Sequence, residues 1–342
     1  SGPWTEDAFG DLKRLDRTFA RLRAVIRDKA PRPYSFIILS DHGQSFGATF
    51  KQRYGVDIKQ FIEQQLPQGV SVAQAIGGDT GSAGLHGVAG ELANLQQTRA
   101  AGALGARVAR QGEKLAQRGA AAQLKTGSGE PAPVMASVTA YGSGNAAQVY
   151  FDLAPRKLTL SELEAAYPGM VDALVGHPGL GMVIGYADDM TAVVLGKGGR
   201  RNLHSGALEG DDPVLPYAPA TGHGAASLAT RIWQLRRVMD FRSAGDLWLI
   251  STVYPDGTVA ALEELVGNHG GMGGEQTDAF LFHPPDLHVP QTRCSTDVFH
   301  ILDGHRDAPL PAISAVLPEP GRRDWKPSVL LAGLAQPRLW LT

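Results

Sequence analysis

The sequence predicts an α/β protein with a mostly parallel central sheet and helices on both faces. Three observations point there. Strand-like and helix-like segments alternate along the chain, the pattern of helices laid over a sheet. The run Phe36-Ile37-Ile38-Leu39 is continuously apolar rather than alternating, as in strands covered on both sides. The chain has 342 residues, 43% of them hydrophobic, enough to bury a sizeable core.

Taken in order, residues 6–29 read as an amphipathic helix with Thr5 as N-cap. Glu6 and Asp7 sit in its first turn, where negative charge suits the helix dipole. Leu12, Leu15, Phe19, Leu22 and Ile26 recur every three or four residues and predict one buried stripe. Pro31 and Pro33 stop the helix. A strand follows over Tyr34 to Ser40, then a helix near 56–65 and a strand near 70–76. A Gly-rich entry and an Ala-, Gln- and Arg-rich stretch predict a helical insertion at about 80–130, suited to a lid or peripheral element. A strand pair is expected between Val134 and Asp152, around the turn Gly142-Ser143-Gly144-Asn145.

Thr159-Leu160-Ser161-Glu162 is a capping box that opens a helix ending near His177-Pro178-Gly179. Strands are expected at 181–187 and 191–196, irregular chain at 197–224, a helix at 225–240 and a strand from Asp246 to Tyr254. An α/β domain over 1–290 and a Pro-rich C-terminal extension over 291–342 complete the reading.

Composition excludes several classes. The formal charge is −2, from 32 basic and 34 acidic residues, so no basic excess marks a nucleic-acid or anionic-membrane partner. The single cysteine, Cys294, rules out an internal disulfide and a four-cysteine zinc site. No apolar stretch approaches the ~20 residues of a membrane span. The chain opens Ser1-Gly2-Pro3-Trp4 without an initiator Met, which reads as a cut or processed end.

Two segments carry chemistry. Asp41-His42-Gly43 follows the apolar strand, and ligand sites in open α/β sheets lie at carboxyl ends of strands. An anionic oxygen beside an imidazole nitrogen suits zinc or a similar divalent ion. The second segment is Asn268-His269-Gly270-Gly271-Met272-Gly273-Gly274-Glu275. Four glycines in five residues cost backbone entropy and are tolerated where a loop folds tightly around something. Its functional reading is a metal-ligating His269 with main-chain amides nearby.

These strings resemble the alkaline phosphatase superfamily, including its type I phosphodiesterases and nucleotide pyrophosphatases. They are Arg32-Pro33-Tyr34, Ser40-Asp41-His42-Gly43-Gln44, Ser143-Gly144-Asn145, His177-Pro178-Gly179 and His269 to Gly274. Their order is most similar to bacterial members joined to a membrane segment. The resemblance implies hydrolysis of phosphate mono- or diesters at two divalent ions, zinc first and manganese second. Asp41 and His42 would serve one ion and His269 the other, with Asn145 and His177 near the substrate. It also implies an earlier Asp, a Thr or Ser nucleophile and an Asp-x-x-x-His motif, a set that the residues before Asp41 do not supply, since His42 is the first histidine. The expectation is a fold incomplete at its N-terminus and a nucleophile supplied upstream.

Two rival readings follow from the same residues. Gly43-Gln44-Ser45-Phe46-Gly47 fits the Gly-x-Ser-x-Gly elbow of serine hydrolases, with Ser45 as nucleophile and Asp246 or Asp256 and His269 downstream. The absent nucleophile of the metal mechanism equally fits a non-catalytic domain that binds a ligand or partner.

Overall fold

The computed structural model describes residues 5–32, 34–76, 138–222, 224–265, 267–285, 287–306 and 326–329. The helical insertion expected near 80–130 lies outside them. Helix α1 spans Glu6–Lys29, and the Thr5 hydroxyl accepts from the Ala8 N–H at its start. The stripe read as buried is not buried: Leu12, Leu15 and Leu22 are 46–60% exposed, and α1 buries no residue. Apolar periodicity reports that a face exists, not what lies against it. Phe19 alone makes an aromatic contact there, edge to face with Phe36 at 5.8 Å.

The chain then runs through β1 (Ile38–Leu39), β2 (Ser45–Phe46), α2 (Phe50–Tyr54), α3 (Ile58–Gln64) and β3 (Val72–Ile76). β4 (Val138–Ser143) and β5 (Ala146–Phe151) form the expected pair, followed by α4 (Leu160–Ala166) and α5 (Met170–Gly176). β6 (Leu180–Tyr186), β7 (Ala192–Gly196), β8 (Gly199–Asn202) and β9 (Leu208–Gly210) follow. After a 3-10 turn at Leu215–Tyr217 come α6 (Leu228–Met239), β10 (Leu247–Ser251) and β11 (Gly267–Asn268). A second 3-10 turn at Gly274–Thr277, β12 (Phe280–His283), α7 (Ser295–Arg306) and β13 (Lys326–Val329) close the order.

The central sheet has eight strands in the order β3-β4-β5-β10-β6-β7-β8-β9. Two buried clusters cover its faces. Leu247 and Leu249 of β10 point to one, with Phe50, Ile58, Ile62, Leu163 and Leu174 from α2–α5. Trp248 and Ile250 point to the other, with Leu235 and Met239 of α6. The protein is therefore α/β, with helices on both faces.

The expected mostly parallel sheet is corrected. Among the described residues only β3 and β4 run parallel; the other pairs of this sheet are antiparallel. The cause is connection length. β4–β5, β6–β7, β7–β8 and β8–β9 are joined by short turns, which permit only antiparallel pairing, whereas β3 and β4 are separated by residues 77–137. Continuous apolar strands such as β10 need cover on both faces, not parallel neighbours.

Smaller expectations also change. The strand over 34–40 shrinks to β1, paired with β12 at the edge of a three-stranded antiparallel sheet β1-β12-β13. The helix from Thr159 is split at Pro168-Gly169, where Gly169 takes φ +79°. Its capping box forms as read, with Thr159 and Glu162 each accepting from the other's main chain. The segment 197–224, read as irregular, holds β8, β9 and a 3-10 turn. No helix among the described residues is long and apolar enough to cross a membrane.

Candidate metal centre

Two segments distant in sequence meet through one short ladder. β2 pairs antiparallel with β11, Ser45 opposite Asn268 and Phe46 opposite Gly267. That register carries the residues just before β2 toward those just after β11. The His42 and His269 rings stack with centroids 3.7 Å apart and planes 19° off parallel. Asp41 is largely exposed, and its Oδ2 lies 3.5 Å from His42 Nε2. The three residues read from the sequence are thus brought together.

Glycine enables the approach at two positions. A side chain at Gly43 would collide with the Glu275 carbonyl oxygen and lie 3.0 Å from the Asp278 nitrogen. Gly144, at φ +57° in the β4–β5 turn, presses on the His269 main chain; an added methyl would lie 2.6 Å from its carbonyl carbon. Gly43 and Gly144 are thus both close-approach residues that only glycine suits.

Gln276 is the hub that fixes these loops. Its Nε2 donates to Asn145 Oδ1 at 3.0 Å and to Gly273 O at 2.8 Å. Its Oε1 accepts from Gly271 N–H, its N–H donates to Ser45 Oγ, and its carbonyl accepts from Gly43 N–H. A buried glutamine satisfied on every side is a specifying element, but no local pattern announces it.

Three residues proposed for chemistry take structural roles. Asn145 is fully buried, with Nδ2 donating to Met272 O at 2.8 Å, so it anchors the His269 loop. Ser45 is 3% exposed; its hydroxyl donates to Gly273 O at 2.9 Å. A nucleophilic serine needs its proton aimed at a base, and here it is held by a carbonyl. Ser45 also lies inside β2 instead of on a strand-to-helix elbow.

His177 caps α5, and its Nδ1 accepts from Gly179 N–H at 3.0 Å. Its ring packs against Phe50, Tyr54 and Phe61, and burial pushes its pKa below the ordinary value. A depressed pKa adds stability that is present above the unfolded value, near 6.5, and lost as pH falls through the folded one. Resistance to urea is therefore expected to fall as the pH drops below about 6.5. In His177→Phe that part of the slope should vanish; an unchanged slope would refute the assignment.

The donor chemistry fits metal in part. The 2.6 Å contact of His42 Nδ1 to the Gly43 carbonyl requires the proton on Nδ1, which leaves the Nε2 lone pair toward Asp41. Nearly parallel imidazoles direct their lone pairs in parallel planes. Two such nitrogens cannot converge on one ion at ~2.0–2.1 Å, whereas they suit two ions ~3.5–4 Å apart. Among the described residues no group of three or more His, Cys, Asp or Glu side chains is arranged around one ion. By donor type, Asp41 and His42 could serve one ion and His269 another.

A cleft of about 470 Å³ adjoins the centre. Ser45, Phe46, Tyr254, Asp256, Gly273 and Glu275 are among its walls, so it borders both segments without containing either histidine. Comparison with known proteins leaves the family unassigned: no family model matches the chain, and neither a curated protein nor a solved structure is significantly similar to it.

Proposed function

We propose that this chain contributes half of a two-metal centre that hydrolyses phosphate mono- or diesters. The observation that supports this best is the stacked His42–His269 pair with Asp41 beside it, donor side chains brought together from two distant segments. Zinc is the first choice, because one carboxylate and two imidazoles form a borderline donor set, and manganese is the second. Bound there, the ions would polarise a phosphoryl group and lower the pKa of a nucleophile. What the chain itself does is hold the donors. Gly43 and Gly144 let the loops close, Gln276 and Asn145 lock them, and the Gly43 carbonyl sets the His42 tautomer.

The reading rests on these motifs and not on the mixed sheet, which differs from the parallel sheet that the alkaline phosphatase resemblance implies. The nucleophile and the remaining ligands of that superfamily have no counterpart before Asp41. The isolated chain is expected to bind zinc weakly and to leave bis(p-nitrophenyl) phosphate almost untouched.

Zinc binding by equilibrium dialysis tests the site. Asp41→Ala and His269→Ala should each weaken it by more than about tenfold, since even groups that only support a ligand cost 10–100-fold. Unchanged affinity in both variants would end the proposal. Zinc bound at Asp41 and His269 in every form of the protein tested, with turnover in none, would favour the non-catalytic binding domain.

A further inference from the structure

Buried polar side chains gather at the β4–β5 turn, which packs against the His269 main chain. Glu263 is 5% exposed, and its Oε1 accepts from Gly144 N–H at 2.7 Å. Its Oε2 is buried with no hydrogen-bond partner. Ser251 is wholly buried; its main chain bonds the Asn145 carbonyl, and its Oγ has no partner. Asn268 is 1% exposed and immediately precedes His269, whose main chain lies against Gly144; neither its Oδ1 nor its Nδ2 has a partner. Three side chains from different parts of the chain thus leave four polar atoms unsatisfied around one turn.

Each such atom costs about 1–3 kcal/mol if nothing meets it, so a native protein fills such a place. The kind of filling follows from charge. Burial pushes the Glu263 pKa up, and the opposing influence on it is the Gly144 N–H, not a basic side chain. The three acceptors are a carboxylate, a carboxamide and a hydroxyl oxygen, all hard donors. One carboxylate is neutralised by one positive charge; a divalent ion would leave a net charge buried, which is costly.

We propose that Glu263, Ser251 and Asn268 hold a single monovalent cation, sodium or potassium, against the Gly144–Asn145 turn. This site is separate from the Asp41, His42 and His269 centre, and its test is independent of that centre. The ion would stiffen the turn on which the His269 loop rests.

Thermal unfolding of the full chain would be followed with EDTA present, at equal ionic strength in sodium, potassium or tetramethylammonium chloride. The midpoint should be higher in sodium or potassium than in tetramethylammonium by at least about 2 °C, the size expected when an ion binds only the folded state. Glu263→Gln should lose that difference and be the more stable protein in tetramethylammonium, because a carboxamide is not a buried charge. Equal wild-type midpoints in all three salts would overturn the proposal and assign the cluster to water or a proton. Retention of the wild-type salt response in Glu263→Gln would overturn it as well. Thallium NMR of the wild type gives a readout that needs no variant: a bound resonance competed away by potassium supports the site, and its absence sinks it.

Discussion

Replacing Gly144 with alanine is expected to destabilise the protein by about 3–5 kcal/mol, at the top of the range for one substitution. Two penalties combine there. The residue takes φ +57°, which by itself costs a non-glycine residue roughly 1 kcal/mol. The new methyl would also meet the His269 main chain, 2.6 Å from its carbonyl carbon and 2.8 Å from its nitrogen. Backbone cannot swing aside as a flexible side chain can, so the turn or the His269 loop must move. Gly169→Ala is the matched control. Its φ is +79° and nothing lies within 4 Å of the added carbon, so it should cost only the conformational part. Urea unfolding of both variants separates the two effects, and equal costs would show that the clash relaxes freely. Zinc affinity should fall with Gly144→Ala and hold with Gly169→Ala.

The second large effect concerns Arg231, a guanidinium with no exposed surface. Its Nε donates to Tyr217 O at 2.8 Å, and its Nη2 donates to Gly224 O at 2.5 Å and Thr277 Oγ1 at 3.2 Å. It therefore ties the 3-10 turn at Leu215–Tyr217 to the one at Gly274–Thr277, which carries Gln276. Burial lowers its pKa to about 10, partly opposed by Asp278, so it stays charged at neutral pH. Arg231→Met should cost about 3–5 kcal/mol, because it strands two carbonyls and removes the cation facing Asp278. It should also loosen the Gln276 hub and weaken zinc binding. A Met variant with wild-type stability would mean that the site is an expendable buried charge, as some buried ion networks are.

Local rules carried the sequence reading a long way. The caps of α1 and α4, the β4–β5 pair and the positions of β6, β7, β10 and α6 all follow from residues within a few positions of each other. Pairing direction did not, because apolar runs such as Leu247 to Ile250 look the same in parallel and antiparallel sheets. The cover over α1 did not either, since its stripe is legible while its partner is not.

The centre shows the same division. Asp41, His42 and His269 stand out because carboxylate and imidazole are rare beside glycine at the end of an apolar run. Asn145 reads as a substrate contact and Ser45 as a nucleophile because their side chains are capable of those roles. Whether they take them depends on Gln276, Gly273 and Met272, contacts made across most of the chain. Asn268 and Glu263 went unnoticed for the same reason: a polar residue is remarkable only once its burial is known.

The ladder of β2 with β11 joins Asp41–His42 to His269 through two residue pairs. Closing so long a loop is entropically slow, and so few bonds return little until the large sheet is in place. The ladder is therefore expected to form after the large sheet and to open before it, which amide exchange at Ser45 and Asn268 would report. An ion bound between these segments would act as a clasp, tightening a contact that so short a ladder holds only in part.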